Sequence, residues 1–530
     1  MLIFYGLLGS FVVNLGGNLH TIYLFTSGYP ADSPIPFWKI FSGYNPAKYW
    51  YPNATRFIPF TMHEFPSYSY VVADLHGHVF DIPFVLLTLA ILFVFFIKIS
   101  EIKKASLSSR GNASDREISH LKRFLSLPGM TQGGTFLMLN CILIGFMTAI
   151  HYMTNAFDGP IYLLLTFIIF FALFGLSKTF FTSSLLTVFS FILFSFPFSY
   201  HFAPFVSGIG MNCSPNFLFK QIHTGKAVSY ATNKIGPFLF EKGNCQAFVW
   251  WMWLVLWGFF LINFIMFYFA GYVLPVSKKI KDVSKYETLK NFMFILFAFG
   301  TLLVIIPEFF YIKDIYPAHF RANTMFKLGY QAFIIMGVAS VVGLAFLDTL
   351  RGKIKYLGKA IFIALFFLIF LYPFQSFPSY YGTLKKTPQL DGSTWLAAQS
   401  LEDSEIVNYL NTHITGQPVI LEAQGDSYSE YERISAYTGL PTVAGWWVHE
   451  WLWRGASDAV GKRIPDVTAI YESGDIKQVD TLLKKYHVQY IIVSSLEREK
   501  YKNIKEDVFD AVGTRLFESS NKLGALYQYK

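Results

Sequence analysis

Charge is what this sequence has least of: Asp, Glu, Lys and Arg make up 15% of its 530 residues, where soluble domains carry about 25%. With 53% of residues hydrophobic, that shortage excludes an ordinary soluble enzyme and a disordered chain. Cysteine is scarce too, and three in all cannot make the disulfide framework of a small secreted scaffold. Also missing are a P-loop, a dinucleotide glycine fingerprint, a Ser-His-Asp signature and zinc-ribbon spacing. What is plentiful is apolar: 58 Phe, 32 Tyr and 11 Trp, with a mean hydropathy of +0.39. The chain reads as an integral membrane protein of the cell membrane.

Apolar runs long enough to cross about 30 Å of hydrocarbon lie near 80–99, 135–151, 159–177, 179–197, 247–273, 291–308, 328–347 and 358–377. A further run, Met1 to Val13, has no basic flank and no small-residue cleavage site. It reads as a membrane helix whose beginning is cut short, which gives about nine spans and suggests a fragment. Basic residues cluster in the loops 98–125, 278–290 and 348–359, which alternate correctly with the spans and mark the cytoplasmic side. The net charge of +9 is therefore mostly topological, and no nucleic-acid partner is needed. Loops 14–79, 198–246 and 309–327 fall outside, and so does everything after residue 378.

From Ser379 onward charge rises and apolar runs shorten. Pro418 to Ala423 and Val488 to Ser494 read as buried strands, Ser404 to Thr412 and Ile476 to Tyr486 as amphipathic helices. The expected architecture is a polytopic α-helical membrane domain, residues 1–378, followed by a soluble extracytoplasmic α/β domain, residues 379–530. Cys213 and Cys245 share one outer loop, where a disulfide and two separate thiols are equally open.

Four segments carry candidate chemistry. In the first, Glu64, Asp74, His76, His78 and Asp81 fall within eighteen residues, just outside a span where ionisable groups are expensive to bury. Carboxylates beside imidazoles suit general-base work or a divalent metal, Mg or Mn by the acids, with Zn a weaker candidate. A hydrogen-bonded loop sealing a helix end is the plainer reading. In the second, Arg321 and Lys327 stand on the outer side, where the positive-inside bias disfavours them. A phosphate headgroup would repay both, as would unspecific snorkelling to lipid phosphates. In the third, Asp158 precedes Gly-Pro and reads as a helix cap. In the fourth, Trp446, Trp447, Trp451 and Trp453 mix with His449, Glu450 and Arg454. That aromatic surface suits a sugar ring, a membrane interface or a lid, with part of it serving as core.

Taken in order, Glu64-Phe-Pro, Asp74-Leu-His-X-His78, Arg321-X-Asn323-Thr-X-Phe-Lys327 and Glu430 through Arg433 to His449-Glu-Trp-X-Trp-Arg-Gly455 resemble the YYY membrane protein family (the Chlor_Arch_YYY domain). The resemblance covers nearly the whole chain from about residue 14. One departure is Ala156-Phe157-Asp158, where the family tends to have a Trp-Asp pair. The family is distantly similar to the GT-C glycosyltransferases, so the resemblance implies a GT-C-like enzyme transferring sugar from a polyprenyl-phosphate donor at the outer membrane face. Asp74 and Glu64 would then be catalytic, with Asp74, His76 and His78 at a divalent metal. Arg321, Asn323, Lys327, Trp446, His449, Glu450 and Arg454 would bind substrate. Two alternatives stand beside it: a transporter or flippase of lipid-linked glycans, which the scarcity of charge inside the spans disfavours, and a non-catalytic envelope assembly or glycan-binding protein.

Overall fold

The structure, a computed structural model, describes residues 2–30, 33–108, 132–202, 206–224, 227–246, 249–275, 282–314, 319–382, 390–454 and 457–530. Two compact units divide the chain, Met1–Phe202 with Val206–Leu384, and Lys385–Lys530. The first contains α1 (Leu2–Asn14), α2 (Pro66–Val71), α3 (Gly77–Phe80), α4 (Ile82–Ser108), α5 (Gln132–Thr154), α6 (Asp158–Phe174), α7 (Lys178–Ser199), α8 (Trp250–Tyr268), α9 (Val283–Phe309), α10 (Ala322–Leu347) and α11 (Ile354–Tyr381). Among the described residues, seven of these are long and apolar enough to cross a membrane: α4, α5 and α7 through α11. Two of the expected runs, α1 and α6, form shorter apolar helices. The 17 residues of α6 extend about 25 Å. Gly175, at φ +58°, closes it in the left-handed conformation that glycine adopts without a Cβ clash. Ser177 then caps α7 by accepting from the Phe180 N–H.

The hub of the bundle is α10, buried along nearly its whole length. Its packing follows from small side chains, since in hydrocarbon close backbone approach replaces hydrophobic burial as the attraction between helices. At Gly300 of α9 an added Cβ would stand 2.4 Å from Met336 Cγ of α10, so that crossing depends on the glycine.

Six strands lie in the same unit: β1 (Gly208–Met211), β2 (Lys220–Thr224), β3 (Ala227–Ala231), β4 (Asn233–Ile235), β5 (Phe238–Phe240) and β6 (Phe310–Lys313). Their order is β4-β5-β1-β6, with β2 and β3 as a separate hairpin. Cys213 and Cys245 are disulfide-bonded and close a loop of 32 residues around this sheet, which the chain-entropy relation values at about 3–4 kcal/mol. A Cys213→Ser/Cys245→Ser double variant should expose the β1 and β6 amides to hydrogen exchange, faster by up to the factor this energy sets. Unchanged exchange there would show that the bundle alone fixes the sheet.

The second unit contains α12 (Ser393–Gln399), α13 (Leu401–His413), β7 (Val419–Leu421), α14 (Arg433–Thr438), α15 (Trp447–Arg454), α16 (Asp458–Glu472), α17 (Ile476–Lys485), β8 (Val488–Val493), α18 (Ser495–Lys500), α19 (Glu506–Val512), β9 (Gly513–Glu518) and β10 (Ala525–Tyr529). The sheet order is β7-β8-β10-β9, parallel between β7 and β8 and antiparallel elsewhere. β8 is apolar almost throughout because both its faces are covered. The two strand and two helix segments read from the sequence coincide with β7, β8, α13 and α17.

Candidate functional site

The loop between α1 and α4 places the first candidate segment. After α2 the chain turns at Ala73, whose φ of +52° is left-handed, a conformation that costs a non-glycine residue about 1–2 kcal/mol. The next residue is Asp74, with its N–H bonded to Ser69 O at 2.9 Å. Strain of this kind is an outlier that persists only where the surrounding structure fixes the backbone. Gly77 then opens α3 hard against the end of α5, where an added Cβ would stand 2.1 Å from Thr154 O. A Gly77→Ala variant must therefore push α3 outward and carry His78 with it. Affinity for Mn2+, read by electron paramagnetic resonance, should fall about 10- to 100-fold, as when a ligand's support is removed.

These turns bring Glu64, Asp74 and His78 together, with one donor atom from each lying within 4.8 Å of the others. Glu64 is held by Arg56 at 2.9 Å. Asp74 accepts from His76 Nδ1 on one oxygen and faces His78 Nε2 at 3.6 Å with the other. His78 also meets Ser69 Oγ at 3.5 Å, and Lys327 Nζ of α10 lies 3.4 Å from its Nδ1. Phe326 and Tyr330 stand edge-on to its ring. Burial pushes the Glu64 carboxyl up, opposed by Arg56. Burial, helped by Lys327 and His76, pushes the His78 imidazole down to about 2, so it is neutral at physiological pH and keeps a lone pair for a metal. Two carboxylate oxygens and one imidazole nitrogen fit a divalent cation.

A second cluster lies deeper and joins Asp81 of the first candidate segment to Asp158 of the third through His151, Tyr162 and Gln331. Asp81 accepts from His151 Nδ1 of α5 at 2.7 Å, and His151 Nε2 meets Thr88 Oγ1 at 2.8 Å. The His151 ring stacks on Tyr162. Tyr162 donates to Gln331 Oε1 at 2.6 Å, and Gln331 Nε2 donates to Asp158 Oδ2 at 2.7 Å. Asp81, His151, Asp158 and Gln331 are fully buried. Asp158 is thus no helix cap: it is the first residue of α6, and its side chain crosses to α10. The signal for this cluster was polar residues at the ends of apolar runs, His151 and Gln331 among them.

Arg321 stands apart from Lys327. Its guanidinium binds Glu308 at 2.6 Å and Gln246 Oε1 at 2.7 Å and is buried; Gln246 and Glu308 are in turn tied to Asn212. The anion that repays Arg321 is Glu308, so Arg321 fastens the segment just after the disulfide to the bundle. Asn323 is half-buried in the first turn of α10. Trp446, His449 and Glu450 belong to the second unit. There the Trp446 N–H donates to Glu432, its indole N–H to Tyr431 O, and Glu450 accepts from the Gly445 N–H. His449 Nδ1 meets Ser427 Oγ at 2.6 Å, and the rings of Tyr428, Trp446 and His449 pack mutually. Trp446, Trp447 and Trp451 are all half-exposed rather than core. The side chains of Trp453 and Arg454 lie outside the described residues.

Apolar helices around a buried acidic and basic cluster define an integral membrane protein with a polar site at the end of its bundle. Residues 1–336 match the family of uncharacterized membrane proteins designated DUF2298, and the chain belongs to that family. No curated protein matches it in sequence. Among solved structures it is similar to the archaeal oligosaccharyltransferase AglB from Archaeoglobus fulgidus in complex with an inhibitory peptide and a dolichol-phosphate. The identity is 11% over 90% of this chain and 58% of that one, with a TM-score of 0.32. It is also similar to the Archaeoglobus fulgidus oligosaccharyltransferase in complex with Zn and sulfate, at 12% identity over 89% of this chain and 55% of that one, with a TM-score of 0.30. The chain spans less than two thirds of the length of both.

Proposed function

We propose that this protein is a membrane-embedded glycosyltransferase that moves a sugar from a polyprenyl-phosphate donor to a hydroxyl or amide acceptor at the outer face of the membrane. The observation that carries the reading is the convergence of Glu64, Asp74 and His78 beside Lys327, an acidic donor set and a cation at the end of one bundle. Transfer needs a base for the acceptor proton and positive charge for the departing phosphate, and charge stabilisation at a pre-arranged site is the larger of the two effects. In this reading Asp74 takes the acceptor proton and His76 orients it. Glu64 and His78 complete the donor set for a divalent cation, Mg or Mn before Zn, which supplies Lewis-acid charge when bound. Lys327 faces the phosphate, and Arg56 sets the charge on Glu64. Trp446 with Tyr428 and His449 in the second unit, read as extracytoplasmic, offers aromatic faces to a sugar ring.

The test is transfer in detergent solution, where no compartments exist. Purified protein with a labelled sugar-polyprenyl-phosphate and Mn2+ should convert donor to polyprenyl phosphate and free sugar, water standing in for the acceptor hydroxyl, and chelation should stop it. A flippase of the same lipid is favoured by the charge buried around Asp158 and Lys327, which the sequence reading had counted as scarce. It would leave the donor intact in detergent yet move it across vesicles, and that result would replace the transferase reading.

A further inference from the structure

The deeper cluster has chemistry that the outer donor set does not use. Asp81 and Asp158 come from opposite ends of the α3 to α6 segment, and their carboxyls meet in the cluster that joins His151, Tyr162 and Gln331. Asp158 gives Oδ2 to the Gln331 amide, while its Oδ1 is buried without a hydrogen bond of ordinary length, the Asn155 amide being the neighbouring donor. Asp81 is bound by His151 Nδ1 on both oxygens, at 2.7 and 2.9 Å. The other nitrogen of His151 meets the Thr88 hydroxyl, and a neutral ring carrying its proton on Nδ1 satisfies both contacts. The titratable or charged groups facing the pair are His151 from α5, Tyr162 from α6 and Lys327 from α10. Lys327 also faces Glu64 and Asp74, and with Arg56 on Glu64 two cations stand among the four carboxyls.

We propose that Asp81 and Asp158 share one proton and together form a proton-binding site inside the bundle, distinct from the Glu64, Asp74 and His78 donor set. Two carboxyls in contact hold together only with a proton between them, since both ionised would repel in a site closed to water. The hydrogen bond so formed gives Asp158 Oδ1 the bond of ordinary length that it otherwise lacks. A metal fits less well, because the His151 nitrogen that faces the pair is engaged as a donor to Asp81 and only two carboxyls remain. The proton count on the pair sets the charge that faces Lys327, and through it couples the inner cluster to the outer one. None of this depends on the transferase reading.

Infrared spectroscopy of the full chain in detergent tests it directly. Glu422, pushed up to about 8 by burial, supplies its own protonated-carboxyl signal, so Glu422→Gln is the background. At neutral pH that background should show a carboxylic C=O band that shifts in D2O, is lost as pH is raised, and disappears entirely in both Asp81→Asn and Asp158→Asn. Loss in each single variant is the distinguishing result, because the carboxyl left behind has no partner to share a proton with. Should either variant fail to fold, the deuterium shift and alkaline loss in the background protein still decide the matter. The proposal is overturned if no such band is present at neutral pH, if it survives both substitutions, or if Mn2+ at fixed pH removes it, which would make the pair a metal site.

Discussion

Asp74→Asn should stop sugar transfer, with turnover falling by about 10^3-fold or more, the upper part of the range for losing a positioned base. The substitution keeps the side chain's shape and leaves an oxygen to accept from His76, so the Ala73 turn and the Ser69 contact have no reason to move. What goes is charge. Of the three groups that converge at the outer site, Asp74 alone lies between the other members of its loop, touching His76 on one oxygen and His78 on the other. Its removal strips the donor set of its least enclosed carboxylate, Glu64 being the more buried of the two and already tied to Arg56. Metal affinity should therefore fall together with turnover, and the two readouts separate the roles. If Mn2+ binding weakens about 10- to 100-fold but saturating Mn2+ restores transfer, Asp74 is a ligand and not the base. If turnover stays lost at saturation, it is the base. Full activity with ordinary metal affinity removes Asp74 from the site and takes the transferase mechanism with it.

Hydropathy found the seven helices long and apolar enough to cross a membrane, because a helix facing lipid has no other way to cover itself. The first candidate segment was legible for the same reason: five ionisable residues at the mouth of a span demand partners. Which partners was not legible. Arg321 looked unpaired on the outer side until Glu308 came beside it from the end of α9, thirteen positions earlier. The cation that does reach the donor loop from within it, Arg56, sits in a stretch with no periodicity to mark it. His151, Asp158 and Gln331 meet only because α5, α6 and α10 turn one face each toward a common point. Helix rotation about its axis is set by packing, and a run of near-uniform apolarity carries almost no amphipathic signal to fix it. In the second unit the strands were plain, and so was the aromatic surface of the Trp segment, but not what holds it: Trp446 is bonded to Tyr431 and Glu432 and Trp447 to Asp426.

Arg433 is where the second unit should prove most fragile. Its guanidinium grips Asp403 through two bonds, Nε to Oδ2 at 2.6 Å and Nη2 to Oδ1 at 2.8 Å, and Glu497 through two more at 3.0 and 3.2 Å. Glu422 lies at 4.0 Å, and all four residues are buried. One cation thus faces three acids, and the structure sorts them. Despite its burial, Glu497 is pushed down by Arg433 and by the Ala423 N–H, while burial pushes Glu422 up to about 8, so it keeps its proton at neutral pH. Because that folded value exceeds the unfolded 4.5, the stability Glu422 contributes is whole below about 4.5 and drains away as pH rises through 8; Glu422→Gln should flatten that slope. Arg433→Met is the larger change, since it strands Asp403 and Glu497 without a cation. Breaking a buried pair in this way costs about 3–5 kcal/mol, a large part of the roughly 5–15 kcal/mol that holds a domain folded. Hydrogen exchange at the β8 amides in the full chain reads it, and the rate there should rise by about two to four decades. The triple variant Arg433→Met/Asp403→Asn/Glu497→Gln should recover more than half of the loss, because the penalty lies in the abandoned charges and not in the missing guanidinium. If Arg433→Met costs less than about 1 kcal/mol, water must reach those carboxylates and the network is no core at all.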